Sequence, residues 1–322
     1  MTPGRVSIII PARNELFLVE TVQDLLQHAT GDIEVIAVLD GYWPDPPLPE
    51  DERVVQLHKG NAEGMRPAIN SAASIATGEY LLKLDAHCSM TQGFDAALKA
   101  DYHERNWVVV PRRDRLDAET WSLQVTGKIP IDAHYLSYPF EKPGDGKCGL
   151  HGTPWDARSR ARKDILLDDE MSSQGSCWFM HRDQWMRVGP LNISQYGNFV
   201  SEFQEVGNKT WLGGGAVKVN KKVTYLHLHK GPKYGRMYFI SRDEMQDGSA
   251  FSTWYWMLDK WQERTHDLRW LIEKFSPVPT WPEDLDRAFA LGRELLKHGP
   301  IRTEHVSSVR LQQPVGAQQV PV

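Results

Sequence analysis

Asp85-Ala86-His87 sets a carboxylate and an imidazole one residue apart. At the end of a strand, alternate residues can both turn toward a ligand as the chain leaves the sheet. A carboxylate with an imidazole suits a borderline divalent ion such as Mn2+ better than an all-oxygen calcium cage. Such an ion, or Mg2+ in its place, bridges two phosphates and neutralises charge as a diphosphate leaves. The same pair also fits a strand-end Asp capping a turn beside a surface His. Glu202 and Glu205 lie one turn apart on a predicted helix and share a face. Glu205 also stands four residues before Lys209, a pairing that merely supports a helix. Arg66 sits near the start of another predicted helix, where backbone amides and a guanidinium can meet a phosphate. Trp178 suits either stacking on a ring or packing in the core.

The elements that must position these groups are read from periodicity. Val6–Ile10 is a continuous β-branched run, as expected of a buried parallel strand. Helical spacing comes next over Leu16–His28, then a strand over Ile33–Leu39 ending at Asp40-Gly41, and a short strand over Arg53–Leu57. A helix over Glu63–Thr77 with small residues on one face leads to the strand Glu79–Leu84, which delivers Asp85. A helix over Phe94–Tyr102 and a strand over Trp107–Val110 come after it. This alternation predicts an α/β layered sheet with right-handed crossovers. In such sheets ligands sit at the carboxyl ends of strands. Pro11 to Glu15, Asp40 and Asp85 to His87 all fall there.

The middle of the chain is less regular, with a loop expected over Gly144–Gly152 and a basic run at Arg158, Arg160, Arg162 and Lys163, whose arginines read either as a solvated run or as a lid that closes on a ligand. A strand is expected over Ser176–His181 and a helix over Glu202–Trp211. Val217–Val219 and Val223–His229 read as a hairpin turning at Asn220–Lys222. Helices are expected over Phe251–Phe275 and Pro282–His298, and a disordered tail from Pro300.

At 322 residues with a formal net charge of -5, the chain suits one large domain with an appendage and lacks a general nucleic-acid-binding surface. Its three cysteines form no disulfide framework. No signal segment or apolar run of membrane-spanning length is visible, so the expected location is cytoplasmic, the host cytoplasm if the source is viral.

Val6-Ser7-Ile8-Ile9-Ile10-Pro11-Ala12-Arg13-Asn14-Glu15 resembles the first strand and nucleotide loop of two groups of nucleotide-sugar glycosyltransferases. One is the large inverting family typified by bacterial polysaccharide synthases. The other is the polypeptide N-acetylgalactosaminyltransferases, to whose Asp-x-His metal motif Leu84-Asp85-Ala86-His87-Cys88 is similar. A second match is Glu202-Phe203-Gln204-Glu205 with Trp211 and the glycines after it. The resemblance covers roughly residues 5 to 235 and implies a bacterial or phage enzyme.

It further implies a GT-A type, Rossmann-like domain with a mixed central sheet over residues 1–235, a helical, Trp-rich extension over 236–299, and a tail over 300–322. It implies that Pro11, Ala12, Arg13, Asn14, Glu15, Asp40, Arg66, Asp85, Trp178 and Lys230 bind the nucleotide sugar. The third metal ligand falls sixteen residues after Trp211, at His227, with His229 as the alternative two residues on. Glu202 takes the place of the catalytic base, with Glu205 beside it. In the retaining group the matching Glu holds the sugar instead.

The expected function is transfer from a UDP-sugar to a hydroxyl on a glycan, a protein or a modified base of DNA. For DNA, Arg112, Arg113 and Arg115 are the densest basic candidates besides residues 158–163. A nucleotidyltransferase acting on a sugar phosphate shares the sheet, but opens with a Gly-rich basic loop where this chain has Pro11–Glu15. A non-catalytic nucleotide-sugar-binding module has little need for Glu202 and Glu205.

Overall fold

The computed structural model describes residues 1–140 and 149–302. The apolar run at the start lies within β1 (Thr2–Ala12), which turns through Arg13-Asn14-Glu15 into α1 (Leu18–His28). β2 (Ile33–Asp40) is buried along its whole length, as a strand covered on both faces must be. β3 (Val54–Lys59), α2 (Met65–Ile75) and β4 (Gly78–Leu84) complete the first half. Small side chains at Ala68, Ala72 and Ala73 let α2 close on the sheet.

β5 (Cys88–Met90), α3 (Phe94–Ala100) and β6 (Trp107–Asp117) come next. The irregular middle holds only short pieces: β7 (Ser122–Leu123), β8 (His134–Leu136), β9 (Gly152–Pro154), α4 (Asp156–Ala161) and β10 (Leu167–Asp169). β11 (Cys177–His181), α5 (Arg182–Val188), α6 (Ile193–Tyr196), α7 (Glu202–Leu212) and β12 (Ala216–His227) then lead to α8 (Gly231–Tyr234). Last come α9 (Arg242–Met257), α10 (Leu268–Phe275) and α11 (Leu285–Leu296).

The main sheet runs β10-β12-β6-β11-β4-β1-β2-β3, with β5 beside β12 and β7 beside β6. β3, β2, β1 and β4 are parallel, β11 is antiparallel to both its neighbours, and β12 is parallel to β6. The sheet is therefore mixed, and the carboxyl ends of β1, β2 and β4 open on one edge. Period-2 alternation divides the core. Ile9, Leu81 and Trp178 face α2, α7 and the three last helices, while Ile8, Ile10, Leu82 and Leu84 face α1 and α3. Trp256, Phe275 and Phe289 belong to the first of these layers, so the C-terminal helices share the sheet's core.

Three expectations are corrected. Residues 217–229 do not form a hairpin. Asn220 and Lys222 both bind Asp101, at 2.9 and 2.7 Å, so the polar stretch is anchored sideways and the strand continues beyond an irregularity between Asn220 and Thr224. Phe251–Phe275 is not one helix. The chain breaks after Met257, passes a left-handed Asp259, and restarts where Asp267 caps α10 through the Trp270 amide at 2.8 Å. The basic run is no mobile cover: Arg162 is paired with Asp168, and Arg158 lies over Trp155 and Phe275. The expected loop at 144–148, Cys148 and the tail over 303–322 lie outside the described residues. Among the described residues no helix is long and apolar enough to cross a membrane.

Candidate active site

A cavity of about 1210 Å³ opens at the strand-end edge. One wall is Pro11, Ala12, Arg13, Glu15 and Asp40; the floor is Lys83, Asp85, Ala86 and His87; the far wall carries Gly175, Ser201, Glu202 and Gln204. His227 to Gly231, Gly235, Arg236 and Tyr238 to Arg242 also line it.

The triplet is pinned from both sides. The Asp85 amide donates to Ser176 O at 2.9 Å, and the His87 carbonyl accepts from the Leu228 amide at 3.1 Å. β12 pairs with β5 so that His227 stands opposite Cys88, beside the triplet. Donor atoms of Asp85, His87 and His227 all lie within 4.8 Å of one another. His87 and His227 have their ring centres 4.8 Å apart; the buried Nδ1 of His227 has no hydrogen-bond partner, and that of His87 has Glu15 Oε2 at 3.4 Å. Burial pushes the His227 imidazole down to about 3, so it stays neutral despite Asp85 Oδ2 at 3.4 Å. Two imidazoles and one carboxylate are a donor set that fits Mn2+. His229 is exposed, just past the end of β12, and its ring stands across that of His227 at 5.4 Å. It is not part of the three-residue cluster.

Lys83 is a member of the site that the motifs did not point to. It reaches up from β4 with its side chain buried. Its Nζ donates to Asp85 Oδ1 at 2.6 Å and to Gly175 O at 2.6 Å, and lies 3.4 Å from Glu202 Oε2. Burial opposes the charge, but Asp85 and Glu202 outweigh it and hold the lysine well above its usual value. The same partnership holds Asp85 well below the carboxylate range, against its own burial. The available signal was a lysine among the apolar residues Leu81, Leu82 and Leu84, two residues before Asp85 and so on the same face.

Glu202 opens α7 behind a left-handed Ser201. Its Oε1 accepts from Trp178 Nε1. Burial lifts its carboxyl above the usual value, with Lys83 and Trp178 pulling the other way. Trp178 does not face the cavity: it is fully buried and stacked on Trp185 at 5.8 Å. Gly175 faces Glu202 with φ +93, and a Cβ there would come 2.9 Å from Glu202 Oε2.

Arg66 and Glu205 do not enter the cavity. Arg66 is fully buried and donates to Glu205 Oε2 at 2.6 Å, to Val200 O at 2.9 and 2.7 Å, and to Asn192 O at 3.2 Å. It also lies over the Tyr196 ring at 4.3 Å. Residues 192–200 cover the start of α2, so this guanidinium has no free face for phosphate. Glu205 is bonded to Arg66, the Asn192 amide and Lys209, and acts as a structural anion.

The remaining donor-side residues divide. Asp40 is buried and accepts from the Glu63 and Gly64 amides at 2.7 and 2.9 Å, shaping the wall. Glu15 is bonded by Lys230 and has His87 Nδ1 at 3.4 Å. Burial works to raise its carboxyl, but His87 and Lys230 prevail and lower it. Asn14, at φ 49, turns its amide to Met237 O at 3.1 Å, and Arg13 lies over Tyr238 at 5.3 Å. Of the two runs considered for DNA, the first is not open: Arg112 is paired with Asp132, Arg113 is buried, and Arg115 is largely covered. In the second, Arg160 and Lys163 are exposed.

A mixed sheet whose first, second and fourth strands end on one large polar cavity is the architecture of the GT-A nucleotide-sugar glycosyltransferases. Residues 7–183 match the family described as Glycosyl transferase family 2, and the chain belongs to it. Among curated relatives, the putative polypeptide N-acetylgalactosaminyltransferase 13 of Drosophila melanogaster is 25% identical over 242 residues, covering 67% of this chain and 40% of its own length. Glycosyltransferase GlyG of Streptococcus pneumoniae is 30% identical over 112 residues, covering 33% of this chain and 37% of its own. The chain thus spans well under half the length of either. Similar solved structures include GalNAc-T7 with UDP, GalNAc and Mn2+, with TM-score 0.59, 18% identity, and 79% of this chain and 49% of that one covered. S. aureus TarS in complex with UDP-GlcNAc has TM-score 0.52 and 14% identity, with 90% and 74% covered. At these identities the likeness is one of fold.

Proposed function

We propose that the chain transfers a sugar from a UDP-sugar to a hydroxyl group of an acceptor. One observation carries this reading: Asp85, His87 and His227 cluster in the same cavity that receives the buried carboxylate of Glu202. The UDP and UDP-GlcNAc held by GalNAc-T7 and TarS support the choice of nucleotide. Pro11, Ala12, Arg13, Glu15 and Asp40 form the nucleoside wall. Lys230, bonded to Glu15, is a point charge within reach of a diphosphate. Asp85, His87 and His227 would hold Mn2+ or Mg2+, which offsets the charge on the departing diphosphate.

Glu202 is the base. Its carboxylate takes the proton of the acceptor hydroxyl as that oxygen bonds to the anomeric carbon and the bond to the diphosphate breaks. UDP leaves. In this reading residues 1–235 form the catalytic domain, and the helical region 236–299 supplies the wall opposite the donor loop.

The test is UDP release from a panel of UDP-sugars with Mn2+, repeated after chelation, with the anomeric configuration of the product read by NMR. Metal-dependent release of UDP with inversion at the anomeric carbon is the expected result. Retention would remove Glu202 as base and make it a sugar-holding residue. Release of pyrophosphate, or no turnover of any nucleotide sugar, would overturn the reading.

A further inference from the structure

Lys83 is an ammonium ion placed directly behind a proposed metal ligand. A lysine ammonium has three N–H groups, and here three acceptors surround it: Asp85 Oδ1 at 2.6 Å, Gly175 O at 2.6 Å and Glu202 Oε2 at 3.4 Å. Its side chain is 1% exposed, so water does not screen it. A charge buried this deeply persists only with partners of this kind. Asp85 is divided by the contact. Oδ1 belongs to Lys83, while Oδ2 faces His227 Nε2 at 3.4 Å.

One ammonium faces two carboxylates here, with Asp85 in direct contact and Glu202 further off. Asp85 is the single anion among the three proposed ligands, and Lys83 offsets it at contact distance. A divalent ion approaching without a nucleotide therefore meets a carboxylate whose charge Lys83 already partly offsets. A nucleotide diphosphate brings the missing negative charge with it.

We propose that Lys83 makes ion binding conditional on the nucleotide: the ion binds weakly to the free protein and firmly only together with the diphosphate. This rests on the UDP-sugar reading above. Lys83 is thus a positioning and charge-setting residue rather than a catalytic one. It acts through Asp85 and Glu202.

The experiment is Mn2+ titration of the full chain, monitored by calorimetry or by the loss of the free-ion paramagnetic resonance signal, with and without UDP. For the parent protein, UDP should tighten Mn2+ binding at least roughly ten-fold. Lys83→Met removes the charge and keeps the length. It should bind Mn2+ without UDP roughly ten-fold more tightly than the parent, and UDP should then add less. Lys83→Arg, which keeps the charge, should retain the dependence on UDP. Should Lys83→Met fail to fold, Lys83→Gln keeps a donor for Gly175 O and is read the same way. Parent-like Mn2+ affinity in a folded, uncharged variant would overturn the role of Lys83 while leaving the function intact. If the parent binds no Mn2+ even with UDP, the metal-bearing reading of the site fails instead.

Discussion

The Trp178 indole N–H points at Glu202 Oε1, so one tryptophan belongs to both the core and the site. Its ring is stacked on Trp185, and its polar edge ends on the proposed base. Buried indole N–H groups find a partner; here the partner is the carboxylate with most to do.

Glu202→Gln should lower kcat by roughly 10²- to 10⁴-fold, the usual contribution of a general base. The donor KM should move little, because in the proposed reaction Glu202 acts on the acceptor hydroxyl. Steady-state kinetics in both substrates check this. A KM effect with kcat preserved would make Glu202 a binding residue.

The pH profile gives an independent check. Burial raises the Glu202 carboxyl, with Lys83 and Trp178 opposing. A base works ionised, so kcat should rise with pH through this group, and the acid limb should lie above the ordinary carboxylate range. Trp178→Phe removes a donor that favours the ionised form. Its limb should shift to still higher pH, at a cost of about 1 kcal/mol in stability for the lost hydrogen bond. An unmoved limb in that variant would separate Trp178 from the chemistry.

His227→Ala and Asp85→Ala should each cut Mn2+-supported turnover by at least roughly 100-fold, since even residues that hold a ligand from behind cost 10- to 100-fold. His229→Ala should leave turnover near the parent rate. Loss on removing His229 with retention on removing His227 would reverse the choice between the two.

Arg66→Met should behave as a folding variant. It leaves Glu205 buried beside Lys209 without its main partner, a change worth about 3–5 kcal/mol. Denaturant unfolding should show that loss, while the donor KM of the surviving folded protein stays near the parent value. A selective rise in donor KM at unchanged stability would return Arg66 to the phosphate.

The parts of the fold legible in the chain are those whose signal is local. β1, β2 and β4 showed themselves because buried parallel strands are continuous apolar runs, and their ends located Pro11–Glu15, Asp40 and Asp85. The pairing of Arg66 with Glu205 was hidden, since its partners are 139 residues apart and each looks solvated in its own helix. Lys83 was hidden for a related reason: nothing local shows that three acceptors, two of them from distant segments, converge on it. His227 was reachable only through resemblance, because the polar stretch Asn220–Lys222 imitates a turn. Contacts to Asp101, from the end of another helix, keep it extended.

Between Asn220 and Thr224, β12 advances four residues while β6 advances one, from Pro111 to Arg112. Three surplus residues are an odd number, so the strand changes phase: Val217 looks into one layer of the core, while Val223 and Tyr225 look into the other. His227 inherits the second phase. The direction of His227 is therefore set by its pairing with Arg115 and Cys88, not by the number of residues that precede it. Removing one residue between Asn220 and Thr224 should shorten the irregularity and leave His227 on the same face. Mn2+ binding by that deletion variant should stay near the parent value, whereas a loss as deep as that of His227→Ala would show that the irregularity itself fixes the strand.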